Sequence, residues 1–246
     1  MIDYLETSHG RRIAYSASAG AGTGIVFLGG FKSDMQGTKA VWLEGWARRA
    51  GRAFLRFDYS GHGDSSGRFE DGCIGDWAED ARTVIEAVTQ GPQILVGSSM
   101  GGWISLLLAR AMPQRVAGLV TIAAAPDFTQ QGYWAGFTEA QRQEVLDKGR
   151  IEIPSEYDDQ PYVITRRLIE DGRDHLVMNQ PLRLPFPVRL LQGTADRDVP
   201  AAWALALLDH AQGDDIRLTL VKGADHRFST PDCLSLIGAS IESVLA

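Results

Sequence analysis

The chain has 246 residues, 44% of them hydrophobic and 22% charged, with a formal net charge of −7. That size suits one α/β domain with a large core. The acidic balance excludes a phosphate-neutralising face for nucleic acid and argues equally against an anionic membrane surface.

Apolar runs such as VAGLVTIAAA fall short of the roughly 20 residues that span a bilayer, so no membrane span is expected. The N-terminal MIDYLETSHGRR carries acids early and no apolar h-region, so no signal peptide is expected either. The two cysteines, Cys73 and Cys233, form no metal or redox spacing. Together these features point to a cytoplasmic protein with reduced thiols.

In chain order, two short alternating runs, Ile2–Thr7 and Arg12–Ser16, flank SHGR and predict an N-terminal hairpin. GIVFLGG (Gly24–Gly30) reads as a buried strand, Lys39–Ala50 as a helix, and AFLRFDY (Ala53–Tyr59) as the next strand. Asp76–Val88 is an amphipathic helix with Trp77, Val84, Ile85 and Val88 on one side. QILVGSS is a strand, Trp103–Ala111 a helix, and RVAGLVTIAAA a strand. PVRLLQG (Pro187–Gly193), Ala201–Ala211, IRLTLVKG and Leu234–Leu245 then continue as strand, helix, strand and helix. Such alternation implies an α/β fold with a mostly parallel sheet covered by helices on both faces. Between Pro126 and Pro185 the rhythm breaks. TEAQRQEVLDKGR, PSEYDDQPYVITRRLIEDGRDHLV and the proline-rich PLRLPFP read as a helical lid inserted into one domain of residues 1–246.

QILVGSSMGGW places two serines at the carboxyl end of a strand, where ligands bind in parallel sheets. A nucleophile on a strand-to-helix turn needs tiny residues two before and two after it. Only the frame Gly97-Ser98-Ser99-Met100-Gly101 fits. Ser98 would need glycines where Val96 and Met100 stand, so Ser99 is the candidate nucleophile.

A serine hydroxyl needs a base. Of five histidines, His226 follows the last predicted strand and shares the Ser99 edge. His210 falls in a helix, His175 in the lid and His9 in a hairpin turn. His62, in DYSGHGDSSG, reads as a structural residue of a glycine-rich turn, with substrate contact as the alternative. With the chain order Ser, acid, His, the acid comes from QGTADRDVP. Asp196 is chosen over Asp198, which adjoins a helix start; Asp225 reads as a loop acid and Asp127 as a remote alternative. The oxyanion donors are the N–H of Met100 and of Phe31, in the loop after the first core strand. Lys32, Ser33 and Asp34 face either substrate or solvent. Phe128, Tyr133, Trp134 and Phe137 either line an acyl pocket or pack the lid onto the sheet. No metal and no organic cofactor is needed.

The stretches FLGGFKSDMQGTKA, RFDYSGHGDSSG, GPQILVGSSMGGW, RLLQGTADRDVP and ADHRF resemble the α/β-hydrolase superfamily. More narrowly, GTKA, FDYSG and GPQILVGSS are similar to the serine-hydrolase branch containing the mitochondrial abhydrolase-domain-containing protein ten. The resemblance covers nearly the whole chain and is weakest over about 126–185. It implies an acyl-protein thioesterase acting on palmitoylated cysteine, or an esterase of acyl glucuronides, with Ser99, Asp196 and His226 matching the family triad. No transit peptide is visible before MIDYLETS, so a mitochondrial location does not carry over.

The expected activity is hydrolysis of a carboxylic ester or thioester, in a small molecule or an acyl-protein, through an acyl-enzyme. C–C bond hydrolysis or perhydrolysis by the same triad is the alternative. A non-catalytic ligand-binding protein on this scaffold is disfavoured, because all three triad positions are filled.

Overall fold

The computed structural model describes residues 2–154 and 161–245. Strands β1 (Asp3–Glu6) and β2 (Arg12–Ser18) form the antiparallel hairpin, and β2 also pairs antiparallel with β4 (Phe54–Phe57). Across the rest of this sheet, from β4 outward, every pair is parallel: β3 (Gly24–Leu28), β5 (Gln93–Ser98), β6 (Val116–Ile122), β10 (Val188–Gly193) and β12 (Ile216–Val221). Together they make an eight-stranded sheet in the order β1-β2-β4-β3-β5-β6-β10-β12. β3, β4, β5 and β10 are buried at every position, as suits strands covered on both faces.

Helices cover both faces. On one, α2 (Ile74–Val88) and α3 (Met100–Ala111) bury Trp77 and Trp103 completely, together with Ile74, Val84, Ile85 and Leu106. On the other, α1 (Thr38–Arg49) and α7 (Pro231–Leu245) meet Phe27, Val96 and Leu191 through Leu43, Ile237 and Ile241. The spacing of Ile74, Trp77, Ala81, Val84 and Ile85 keeps one side of α2 on the core for its whole length. In the chain, α6 (Ala201–His210) lies between β10 and β12.

Between β6 and β10 the chain leaves the sheet. A π-helical turn, Thr129–Trp134, precedes α4 (Glu139–Lys148), which starts at a reciprocal Thr138–Gln141 capping box and ends at left-handed Gly149. α5 (Arg166–Asp174) follows and buries Leu168, Ile169 and Gly172. This stretch is not helical throughout. β7 (Arg150–Ile153) and β8 (Tyr162–Thr165) form a two-stranded antiparallel ribbon, and β9 (Leu182–Arg183) pairs with β11 (Ala211–Gln212). Strands this short carry too few alternations to stand out from a helical background. Of the predicted inserted segment, residues 155–160 lie outside the described residues.

Candidate active site

Ser99 sits between β5 and α3 with φ 53° and ψ −117°, a conformation that L-residues adopt only under constraint. The flanking glycines explain how it is tolerated. A Cβ on Gly97 would fall on the Gly101 carbonyl, and one on Gly101 would fall on the carbonyl of Leu28. A Cβ on Gly102 would stand 2.6 Å from that of Ala124. The turn is tied on both sides: Ser99 N–H donates to Ile122 at 2.9 Å, and the Ser99 carbonyl accepts from Gly102 at 2.9 Å and Ala125 at 3.1 Å.

Ser99 Oγ lies 3.1 Å from His226 Nε2, and His226 Nδ1 lies 2.8 Å from Asp196 Oδ2. A carboxylate only accepts, so the Asp196 bond puts the proton on Nδ1 and leaves Nε2 bare to accept from the serine hydroxyl. Asp196, whose side chain is fully buried, spends both oxygens. Oδ1 accepts the N–H groups of Asp198 (3.0 Å) and Val199 (2.8 Å), and Oδ2 also accepts from Gln192 Nε2 at 2.9 Å. Burial pushes its pKa up, but the hydrogen bond and charge of His226, with the Val199 and Gln192 donors, outweigh it and hold the carboxyl below its ordinary value.

Gln192 is fully buried, and its amide also donates to the Val199 carbonyl at 2.9 Å. It therefore fixes the carboxylate that fixes the histidine. Gln192→Leu is expected to lower kcat about tenfold, roughly the worth of one charge-assisted bond. Steady-state kinetics beside a thermal melt would check this, and an unchanged kcat would refute it.

Asp196, Asp198 and His226 place possible metal-ligand atoms within 4.8 Å of one another. Both Asp196 oxygens and both His226 nitrogens already take part in hydrogen bonds.

The loop after β3 faces the nucleophile: a Cβ built on Gly30 would lie 3.5 Å from Ser99 Cβ. Among the described residues the non-glycines with positive φ are Lys32, Ser99, Ala123, Asp127 and Phe228. Four of them follow the carboxyl ends of β3, β5 and β6, and Phe228 follows His226 by two positions. Left-handed backbone costs such residues on the order of 1 kcal/mol each, so the strain gathers around this one site.

A cavity of about 620 Å³ opens over Ser99 and His226. Its lining is mixed: the rings of Phe31, Phe128, Tyr133, Tyr162 and Trp203, and the polar Lys32, Asp34, Lys39, Asp198 and Arg227, with Lys32 Nζ 5.3 Å from the Tyr162 ring centre. Of the predicted contacts, Lys32, Phe31, Phe128 and Tyr133 line this space. Trp134 and Phe137 do not. Trp134 is half-buried beneath two guanidinium groups, Arg173 at 4.8 Å and Arg142 at 5.7 Å from its ring centre. Phe137 stacks behind Tyr133 with ring centres 6.2 Å apart. Helical period alone does not say which face of this stretch turns inward.

Tyr162, Trp203 and Lys39 escape a reading of the sequence because only tertiary packing brings them here. Lys39 Nζ donates to the Arg227 carbonyl at 2.5 Å, tying the start of α1 to the His226 loop. Asp127, the remote alternative acid, accepts from the N–H groups of Val177 (2.9 Å) and Met178 (3.0 Å). It holds the inserted segment and does not meet His226.

Sheet order, strained serine turn and hydrogen-bonded histidine define a hydrolase: the chain belongs to the alpha/beta hydrolase fold family, whose pattern matches residues 25–167. It is similar to mouse palmitoyl-protein thioesterase ABHD10, mitochondrial, at 36% identity over 99% of this chain and 82% of that protein. The crystal structure of a protein from Agrobacterium vitis S4 superposes with a TM-score of 0.95 at 40% identity, covering 100% of both chains. Mouse alpha/beta hydrolase domain-containing protein 10 superposes with a TM-score of 0.93 at 34% identity, covering 100% of this chain and 98% of that one. Among the described residues no helix is long and apolar enough to cross a membrane.

Proposed function

We propose that this protein cleaves carboxylic esters or thioesters through a Ser99–His226–Asp196 triad and an acyl-enzyme. The observation that carries the reading is the hydrogen-bonded line from Asp196 through His226 to a serine on a strained elbow. His226 Nε2 takes the Ser99 proton as Oγ attacks the acyl carbonyl carbon. The oxyanion so formed is held by the N–H groups of Phe31 and Met100. Collapse breaks the bond to the leaving oxygen or sulfur, which receives the proton from His226. Water then gives a proton to His226, attacks the acyl carbon, and releases the acid as Ser99 regains its proton.

The aromatic rings of the lining suit an acyl chain and its polar groups the leaving group. A thioester, in a small molecule or an acylated protein, is favoured by the name of the mouse relative. We read residues 126–185 as a lid over a single catalytic domain, since its π-helical turn and β8 supply Tyr133 and Tyr162 to the cavity lining. Cytoplasmic action is part of the proposal: Cys73 and Cys233 are free buried thiols, as suits a reducing compartment.

The experiment is hydrolysis of p-nitrophenyl esters and acyl-thioesters of graded chain length, with fluorophosphonate labelling mapped by mass spectrometry. Turnover with the label on Ser99 supports the reading; neither turnover nor label ends it. Tyr133→Ala is expected to move the preferred acyl chain longer by several carbons while keeping kcat on the best substrate within about threefold, since the ring shapes the wall and donates nothing to the reacting atoms. An unmoved chain-length profile would place the acyl group elsewhere.

A further inference from the structure

His62 is 4% exposed and does not line the cavity. Its Nε2 meets the backbone N–H of Lys32 at 3.2 Å, and its Nδ1 meets the Ser60 carbonyl at 3.2 Å. An N–H can only donate and a carbonyl can only accept, so the ring is neutral, protonated at Nδ1 and bare at Nε2. Nothing in that geometry requires a histidine for packing alone. A phenyl ring would satisfy the edge contacts to Tyr59, Phe69 and Trp77, whose centres lie 5.6, 5.1 and 5.1 Å away.

The held turn is one that needs holding. Lys32 has φ 55°, unfavourable for a residue with a side chain, and follows Phe31 directly. One local bond closes it, from Ser33 N–H to the Gly30 carbonyl at 3.2 Å. The far end of the tie is rigid. Ser60 donates from N–H and Oγ to Asp80 Oδ2 at 2.9 and 2.6 Å, its carbonyl also accepts from Trp77 Nε1 at 3.0 Å, and Arg11 Nε anchors Asp80 at 2.6 Å.

We infer that His62 is a positioning residue for the reaction: its bare Nε2, accepting the Lys32 N–H, fixes the turn that aims the Phe31 N–H at the oxyanion. The inference rests on the reading under Proposed function, in which Phe31 is a donor. A turn released by an ångström costs on the order of 10- to 100-fold in rate while leaving ground-state binding nearly intact.

The test compares wild type, His62→Phe, which keeps a ring and loses the acceptor, and His62→Gln, which restores an acceptor on a flexible chain. With an ester or thioester that the wild type turns over, His62→Phe is expected to lose about 10- to 100-fold in kcat with KM within about threefold, and His62→Gln to recover most of that loss. A folded His62→Phe with wild-type kcat overturns the inference, as does a His62→Gln no better than His62→Phe. Should His62→Phe not fold, nitrogen NMR of the wild type decides. A through-bond coupling between Lys32 amide nitrogen and a bare His62 Nε2 supports the inference, and a ring protonated at Nε2 overturns it. A wild type without turnover or Ser99 labelling would instead bring down the hydrolase reading, whatever the His62 variants do.

Discussion

Ser99→Ala is expected to lower kcat on any ester or thioester substrate about 10⁶-fold, while Ser98→Ala stays within about fivefold of wild type. The large figure follows because serine, histidine and acid act as one unit: with the nucleophile gone the remaining two have nothing to activate. What survives is binding and the oxyanion donors, of the order of 10³ over water. The small figure follows from where Ser98 lies. It is the last residue of β5, 6% exposed, and it pairs in register with Ile122 in β6. Only Ser99 is 3.1 Å from His226 Nε2. The same substrates and a fluorophosphonate probe, read by peptide mapping, decide between them. Label that persists in Ser99→Ala and vanishes in Ser98→Ala would mean that the elbow is framed one residue too late.

Much of this site is legible in the sequence because its chemistry is local. The elbow is a run of five residues whose glycines are dictated by backbone collisions, and those collisions recur in the structure at Gly97 and Gly101. The same glycines hide the start of α3. The pattern predicts a helix from Trp103, yet it begins at Met100, because packing against β3 outweighs the poor helix propensity of Gly101 and Gly102. His226 and Asp196 follow from chain order, a property of the sheet that sequence alternation reveals. The substrate walls are not legible in the same way. Trp134 and Tyr133 are neighbours, and one turns to Arg173 while the other turns to the cavity. That choice is made by a π-helical turn, whose phase differs from the α-helical period used to read it. The glycine-rich setting of His62 is plain in the sequence, but its partner at Lys32 is 30 residues away and cannot be seen in one dimension.

Asp196→Asn should cost about 10⁴-fold in kcat and leave the label site at Ser99 unchanged. The aspartate accepts the His226 Nδ1 proton; an asparagine that turns its amide toward Nδ1 donates instead, so the imidazole proton moves to Nε2 and points at Ser99 Oγ, where a lone pair is needed. Turning the amide the other way does not rescue the site, because its NH₂ then meets the backbone N–H groups of Asp198 and Val199. Asp127→Asn provides the contrast: it loosens the anchor at Val177 and Met178 and is expected to change stability more than kcat. The pH dependence has a definite sign. The Asp196 pKa is held below its ordinary value of 3.8, so in acid the unfolded chain takes up the proton before the folded one does. The carboxylate's contribution to stability is therefore fully present above that value and is lost as pH falls through the lower folded pKa. The asparagine of the variant titrates nowhere in this range. Below about pH 4 the gap in unfolding free energy between wild type and Asp196→Asn should shrink. Denaturant melts at matched ionic strength read it directly. A gap that does not shrink below about pH 4 would mean that burial outweighs the His226, Val199 and Gln192 hydrogen bonds and that the carboxyl is not held below its ordinary value.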